Sequence, residues 1–186
     1  MLEALSNIVT GFGLSASAGL NAYLPLLIVA LLARFTDLVQ LNTPFDALTS
    51  GWVITVLIVL TLVEVLVDKI PAVDTVNDVI QTAVRPAAGA ILFAASSSAI
   101  SGIHPALAVI CGILVAGTVH AAKASARPLV TATTAGSANP VVSTVEDVTS
   151  AVVSILSIVA PILALVLFVL GAWLLLRAWR RRSGSA

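Results

Sequence analysis

The chain alternates long apolar runs with short polar segments, and this pattern predicts membrane-spanning helices. The apolar runs cover residues 5–34, 52–67, 79–100, 106–124 and 148–176. At 1.5 Å of helix per residue, each run with its flanks matches or exceeds the roughly 30 Å hydrocarbon core of a bilayer. We therefore predict an all-α membrane protein with about five transmembrane helices.

Two of these runs are longer than one crossing needs. The first contains the glycine-rich and small-residue segment 10–19, which is typical of a broken or closely packed helix. The last is expected to tilt or to kink at Pro161. Broken or re-entrant helices are therefore expected within a single membrane domain, residues 1–182, followed by a short tail, 183–186. Residues 36–51 are predicted to form a loop outside the membrane, and the hydroxyl-rich residues 125–139 an irregular backbone.

Composition supports a membrane location. The chain is 59% apolar and only 10% charged, and its mean hydropathy is +1.11, whereas a soluble domain is about 45–50% apolar and a quarter charged. Nine Lys and Arg balance nine Asp and Glu, so we expect the lipid bilayer as partner and no nucleic acid. One cysteine and two histidines argue against a catalytic metal site, a carboxylate site for a hard cation stays open, and no cofactor is expected.

Basic residues near span ends predict the orientation. The densest basic cluster is Arg177, Arg180, Arg181 and Arg182. It predicts a cytoplasmic carboxyl terminus in the inner (plasma) membrane, with the amino terminus outside after five crossings. Four other basic residues oppose this orientation unless they are buried inside the protein; they are Lys69, Arg85, Lys123 and Arg127.

A nine-residue element occurs twice. Residues 71–79 and 140–148 are identical at six of nine positions, including the first proline and an aspartate, Asp78 and Asp147. Proline suits the first helical turn, and the following Thr and Asp can cap free amides, so both copies are predicted to begin helices. At membrane depth such helix starts bind solutes in transporters. The alternative is an ordinary helix cap at the membrane surface.

Ionisable residues cluster around the two copies. Glu64 and Asp68 lie four residues apart and begin this cluster. Because an isolated charge at the bilayer centre costs about 2.5–3.5 kcal/mol on insertion scales, we expect the charges to pair or to face water. The predicted polar centre comprises Asp68, Lys69, Asp74, Asp78, Arg85, Lys123, Arg127, Glu146 and Asp147, either as a solute site or as a structural salt-bridge network. His120 is expected to relay protons or to bond a neighbouring helix, and His104 to lie in a surface turn.

Four motifs carry a resemblance to a known family. They are Ala16-Ser17-Ala18-Gly19-Leu20-Asn21-Ala22-Tyr23-Leu24-Pro25, Val67-Asp68-Lys69-Ile70-Pro71-x-Val73-Asp74, the run from His120 to Pro128, and Ser137-Ala138-Asn139-Pro140. With them the sequence resembles a bacterial membrane-protein family catalogued as domain of unknown function 4126. The resemblance carries no established activity. It implies that one functional set contains Asn21, Tyr23, Asp68, Lys69, Asp74, Asp78, Lys123, Arg127 and Asn139.

These features together predict a small transporter or channel for a small polar solute, anionic or zwitterionic. The alternatives are a non-transporting membrane scaffold or assembly factor, and a lipid-modifying membrane enzyme. We expect no enzyme, because the sequence holds no nucleophile elbow, phosphate loop, HExxH motif or dinucleotide fingerprint. A lipid-phosphatase pattern fails as well, since Ile103 separates Gly102 from His104. The small-residue segments 11–19 and 112–117 suggest a homo-oligomer.

Overall fold

The computed structural model describes residues 2–97, 103–163, 166, 169–171, 173 and 177, without the side chains of Leu2 and residues 71–76. Its helices are α1 (Leu2–Leu20), α2 (Tyr23–Phe35), α3 (Gly51–Val67), α4 (Pro71–Ser97), α5 (Pro105–Thr134) and α6 (Asn139–Val159), with a 3₁₀ helix at Phe45–Thr49. The described ranges contain no strand. Residues 77–97 of α4, the whole of α5 and the whole of α6 are long and apolar enough to cross a membrane, and α2 and α3 are shorter apolar helices.

The first apolar run folds back on itself as a helical hairpin, α1–α2. Only Asn21 and Ala22 separate the two helices. Thr10 and Leu14 of α1 line a cleft together with Val29 of α2 and the connection that follows it, so α2 returns toward the start of α1. The predicted break is therefore confirmed, at Asn21–Ala22 and not within 10–19. The crossing expected over 5–34 is wrong, because both of its ends lie at one end of the bundle.

The glycines of α1 serve close packing. A Cβ on Gly11 would lie 3.3 Å from the ring of Phe93, and one on Gly19 would lie 2.6 Å from the carbonyl oxygen of Ala116. A similar approach brings α4 and α5 together, where a Cβ on Gly112 would lie 2.6 Å from the Cα of Ala90. The helix backbones therefore approach one another directly, as in other membrane helix pairs.

Two further hairpins complete the bundle. The α3–α4 turn spans residues 68–70, and the α5–α6 turn spans 135–138, where Ala135 (φ 49°) and Gly136 (φ 80°) adopt left-handed conformations. Both turns lie at what we term the turn end. The α2–α3 connection lies at the opposite end, the loop end. Helix α1 packs between α4 and α6, and contacts from Ser15 to Gly89 and from Ser17 to Ser150 hold the three together.

One sequence-based boundary is wrong. Helix α5 continues through Pro128 to Thr134, so residues 125–134 are not irregular. Proline removes a single backbone hydrogen bond, a loss that packed membrane helices tolerate. Helix α6 begins at Asn139, as the second copy of the repeat predicts, and so before the apolar run that starts at residue 148. It ends at Val159, and Ala160 leaves the helical conformation (φ −144°, ψ 67°) before residues 161–163 resume it. The interruption expected at Pro161 is thus confirmed one residue earlier.

Apolar side chains cover the outside of the bundle. On α3, Trp52 is 77% exposed, and Leu62 and Leu66 are also exposed. Helices α5 and α6 present Leu114 and Val152 in the same way. Because water would not tolerate so much exposed apolar surface, the protein is an all-α membrane protein in contact with lipid.

Candidate functional site

A cluster of ionisable side chains lies where the tip of the α1–α2 hairpin meets α3, α4, α5 and α6. We call it the charged centre; it comprises Glu64, Asp68, Lys69, Asp78, Arg85, His120, Lys123, Arg127, Glu146 and Asp147. The side chains of Glu64 and Arg85 are fully buried, whereas Asp78 is 17% and Lys69 34% exposed. The centre is therefore closed at Arg85 and opens gradually toward the α3–α4 turn.

Arg85 is the hub of the buried part. Its Nη2 lies 3.1 Å from Oε1 of Glu64 and 3.6 Å from Oδ2 of Asp68, and its Nη1 lies 3.7 Å from Oδ1 of Asp78. Nη1 also donates to Nδ1 of His120 at 2.9 Å. A guanidinium can only donate, so His120 accepts at Nδ1 and is a neutral imidazole with its proton on Nε2. That Nε2 lies 3.2 Å from Oγ1 of Thr82, which in turn donates to the carbonyl of Asp78 at 2.8 Å.

Lys123 and Arg127 form the second half of the centre. Nζ of Lys123 lies 3.1 Å from both Asp68 and Glu146. Nη2 of Arg127 lies 2.8 Å from Glu146 and 3.6 Å from Asp68. Asn77 donates to the other oxygen of Asp68 at 3.0 Å. Asp68 therefore joins the two halves, since it is close to Arg85, Lys123 and Arg127 at once.

The charged centre also satisfies the backbone at the hairpin tip. Nζ of Lys123 donates to the carbonyl of Leu20, the last residue of α1, at 3.0 Å. The amide of Ala22 donates to both oxygens of Glu64 at 3.2 and 3.1 Å, and that of Tyr23 donates at 3.4 Å. A carboxylate at a helix start and an ammonium at a helix end suit the helix dipoles. These contacts let the chain reverse direction inside an apolar bundle.

A line of hydroxyl groups leads from the charged centre along the α1–α6 interface. At its inner end Asn21 donates to Asp147 at 3.0 Å. Next, the Ser17 hydroxyl contacts the hydroxyls of Ser150 and Ser154 at 2.9 and 2.6 Å. At its outer end Thr10 donates to the carbonyl of Ser157 at 2.7 Å. We call this line, Thr10, Ser17, Ser150, Ser154 and Ser157, the hydroxyl seam.

The hydroxyl seam ends at a cleft of about 390 Å³ at the loop end. Thr10 belongs to both features. The cleft is lined by Ser6, Asn7, Thr10, Leu14, Val29, residues 37–41, Ala95, Ser96 and Ile158. Asp37 is the one ionisable side chain among these described lining residues, and it is exposed.

Nine of the predicted site residues meet in the charged centre, and Asn21 contacts it through Asp147. Three others remain. Tyr23 contributes its backbone amide to Glu64, while its side chain packs against the apolar core. Asn139 lies outside the centre: its amide group exchanges hydrogen bonds with Thr131 at 2.9 and 3.2 Å and ties α6 to α5. The side chain of Asp74 lies outside the described residues. His104 is exposed and accepts from the amide of Ala106, as expected for a surface turn.

The repeated elements do begin helices, at Pro71 in α4 and at Asn139, beside Pro140, in α6. Side-chain capping is wrong for α6, because Thr144 donates back to the carbonyl of Pro140. Asp78 and Asp147 both reach the charged centre, but their partners differ. Asp78 faces Arg85, whereas Asp147 faces Lys69 and Asn21. The two aspartates are equivalent in sequence and not in their contacts.

Several buried or partly buried polar residues were absent from the predicted site. Glu64 had been placed in the charge cluster but not in the set, and Asn77, Gln81 and the serines of α6 were missed. A signal existed, because Asn77, Gln81 and Arg85 are spaced four apart and so share one face of α4. Gln81 is only 2% exposed. Within the described ranges, no three His, Cys, Asp or Glu side chains come together as metal ligands.

Fold and site together define an all-α membrane protein with a buried centre of paired charges. The chain belongs to the family described as Domain of unknown function (DUF4126), whose family model matches residues 8–181. This confirms the resemblance that the four motifs carry. Neither the curated proteins nor the solved structures gave a match.

Proposed function

We propose that the protein is a small transporter whose charged centre lies on the path of a polar solute. The observation that supports this most strongly is the hydroxyl seam. It joins the charged centre, which opens toward the turn end, to the cleft at the loop end. A path across the membrane needs polar groups along its whole length, and these three features supply them in sequence.

The closure at Arg85 favours a carrier over an open channel. Carriers hold their site near the middle of the membrane and expose it to one side at a time, and helix ends within the membrane often form that site. Here Arg85 lies near the midpoint of α4 and His120 near the midpoint of α5. The α1–α2 hairpin separates the centre from the cleft, so its movement against α6 would open the second side.

A membrane scaffold is the second candidate, and the dense ion pairing favours it. Glu64 and Arg85 are fully buried and 3.1 Å apart, which is also what a purely structural network would look like. No comparable observation favours a lipid-modifying enzyme. His120 and Lys123 are only 4% and 5% exposed, so a lipid headgroup would reach them only after a helix moved.

For the cellular setting we propose the inner (plasma) membrane, with the carboxyl-terminal tail in the cytoplasm. A tag at the carboxyl terminus should then be inaccessible in intact cells.

A homo-oligomer also stays a proposal, and the small-residue segments no longer support it, because Gly11, Gly19 and Gly112 pack within one chain. Native mass measurement in mild detergent would decide the number of copies.

The transport proposal can be tested by locking the hydroxyl seam. In a Cys111→Ser background, Ser17→Cys with Ser150→Cys should form a disulfide, since the two hydroxyl oxygens are 2.9 Å apart. We expect oxidation to stop flux into liposomes, measured as current on a supported membrane with a panel of small solutes, and reduction to restore it. Each single-cysteine variant is the control and should be unaffected by oxidation.

Flux that persists through the locked seam would contradict this path. If the wild-type protein carries no solute at all, while substitutions in the charged centre only lower its stability, the scaffold is the better explanation.

A further inference from the structure

The charged centre has more negative than positive groups among its described members. Its bases are Lys69, Arg85, Lys123 and Arg127, and its acids are Glu64, Asp68, Asp78, Glu146 and Asp147. The hydrogen bond from Arg85 keeps His120 neutral. With all carboxylates ionised, the centre carries one negative charge that no described base offsets.

The hydrogen bonding of the charged centre also indicates a site for a cation. Three buried carboxylate or amide oxygens accept no hydrogen bond from the described residues: Oδ1 of Asp78, Oδ2 of Asp147 and Oε1 of Gln81. The nearest cations to the two carboxylate oxygens are 3.7 and 3.8 Å away. Gln81 is 2% exposed, and it lies one helical turn from both Asn77 and Arg85, which contact Asp68. Nε of Arg85 is a donor without a hydrogen-bond partner, and the hydroxyls of Thr61 and Ser143, which can donate or accept, make no hydrogen bond among the described residues either. Carboxylate and amide oxygens that no donor satisfies are groups that can bind a cation.

The path from the charged centre to the loop end also favours a cation over an anion. Asp37 is the ionisable group of the described cleft lining, beside hydroxyl and amide side chains. The hydroxyl seam adds hydroxyl and carbonyl oxygens. Neither the described cleft lining nor the hydroxyl seam contains a lysine or arginine. An anion would therefore meet no positive partner before it reached Lys123 or Arg85.

We infer that the charged centre binds a small monovalent cation, an alkali-metal ion or a proton, which enters through the cleft beside Asp37. This rests on the proposed transport function and reverses the sign of solute that the lysines and arginines suggest in the sequence. The oxygens of Asp78, Gln81 and Asp147 that accept no hydrogen bond are the binding groups.

The first test measures cation binding without any variant. Thermal unfolding of the purified protein can be followed with a thiol-reactive dye, because Cys111 is the single cysteine. If the cation is an alkali ion, we expect Tm in lithium, sodium or potassium chloride to exceed that in choline chloride by about 3–6 °C once the cation is at ten times its Kd. A rise that follows the anion, when chloride is exchanged for gluconate, would overturn the inference.

Variants then locate the site. Asp147→Asn and Asp78→Asn should each remove the cation-dependent rise in Tm. Asp46→Asn is the matched control, since Asp46 is exposed on the 3₁₀ helix and outside the cleft lining. Asp37→Asn should keep the rise and slow cation uptake into liposomes several-fold. A rise that survives in both Asp147→Asn and Asp78→Asn would place binding elsewhere and refute the assignment.

Proteoliposomes that contain a pH-sensitive dye separate the two cations. Proton flux down an imposed pH gradient at constant salt indicates the proton, and a dye response to a sodium or potassium gradient indicates an alkali ion that is exchanged for protons. Cation-dependent Tm without any flux would refute transport and leave the cation site standing. Transport of an anionic or neutral solute with neither alkali nor proton dependence would refute the cation and leave transport standing. If Tm and flux are the same in choline as in every alkali salt and no proton moves, the inference fails.

Discussion

Removal of the Lys123 ammonium is the most direct test of whether the charged centre holds the hairpin tip in place. Lys123→Met keeps most of the apolar stem of the side chain and removes the ammonium with its charge and its hydrogen-bond donors. Asp68 and Glu146 each lose a partner at 3.1 Å, and the carbonyl of Leu20 loses its donor at 3.0 Å. With all carboxylates ionised, the negative excess among the described members of the centre rises from one charge to two.

The expected cost follows from these contacts. Breaking a buried ion pair by removal of one partner costs about 3–5 kcal/mol, and the lost bond to Leu20 adds about 1 kcal/mol. Arg127 remains 2.8 Å from Glu146 and 3.6 Å from Asp68, and it offsets part of the loss. We therefore expect about 3 kcal/mol, or roughly 6–12 °C in Tm for a chain of this size.

Lys69→Met is the matched control, since the substitution is identical and the residue belongs to the same centre. Lys69 is 34% exposed and lies 3.8 Å from Asp147, so its loss should cost at most about 1 kcal/mol. Unfolding in mixed micelles of mild detergent and sodium dodecyl sulfate, followed by circular dichroism, gives both free energies. Adding Glu146→Gln to Lys123→Met should recover part of the loss, because one uncompensated carboxylate is removed. Equal costs for Lys123→Met and Lys69→Met would refute the reasoning.

Two further predictions concern packing and the hairpin tip. Gly112→Ala should lower the free energy of unfolding by about 1–3 kcal/mol, since its new Cβ meets the backbone of α4. Gly117→Ala, on the same helix, meets only Cγ of Pro86 at 3.8 Å and should be neutral or stabilising by up to about 1 kcal/mol; similar losses at both glycines would contradict the close approach. Glu64→Gln should cost about 3 kcal/mol by leaving Arg85 without its nearest carboxylate, and hydrogen exchange at the amide of Ala22 should accelerate; protection equal to wild type would exclude the proposed cap.

The sequence alone determined the class of protein and the existence of a charged centre. Apolar runs of bilayer length leave little choice, because a backbone in lipid must form its own hydrogen bonds and does so as helices. The two prolines of the repeat mark helix starts, since proline is favoured in the first helical turn. The cluster from Asp68 to Asp147 was expected to converge, because single charges in lipid are too costly to remain apart.

Only the tertiary structure decided how the helices reverse and which groups pair. The composition of residues 10–19 suits a broken helix and a closely packed one equally. Phe93, Ala116 and Ser157 are distant in sequence, and they pack so tightly against this segment that it is a closely packed helix. The break falls at Asn21–Ala22 because Glu64 and Lys123 satisfy the backbone there. Similarly, Asp78 and Asp147 have the same local sequence but face different neighbours. Ion pairing depends on the register between helices, and that register arises from contacts distant along the chain.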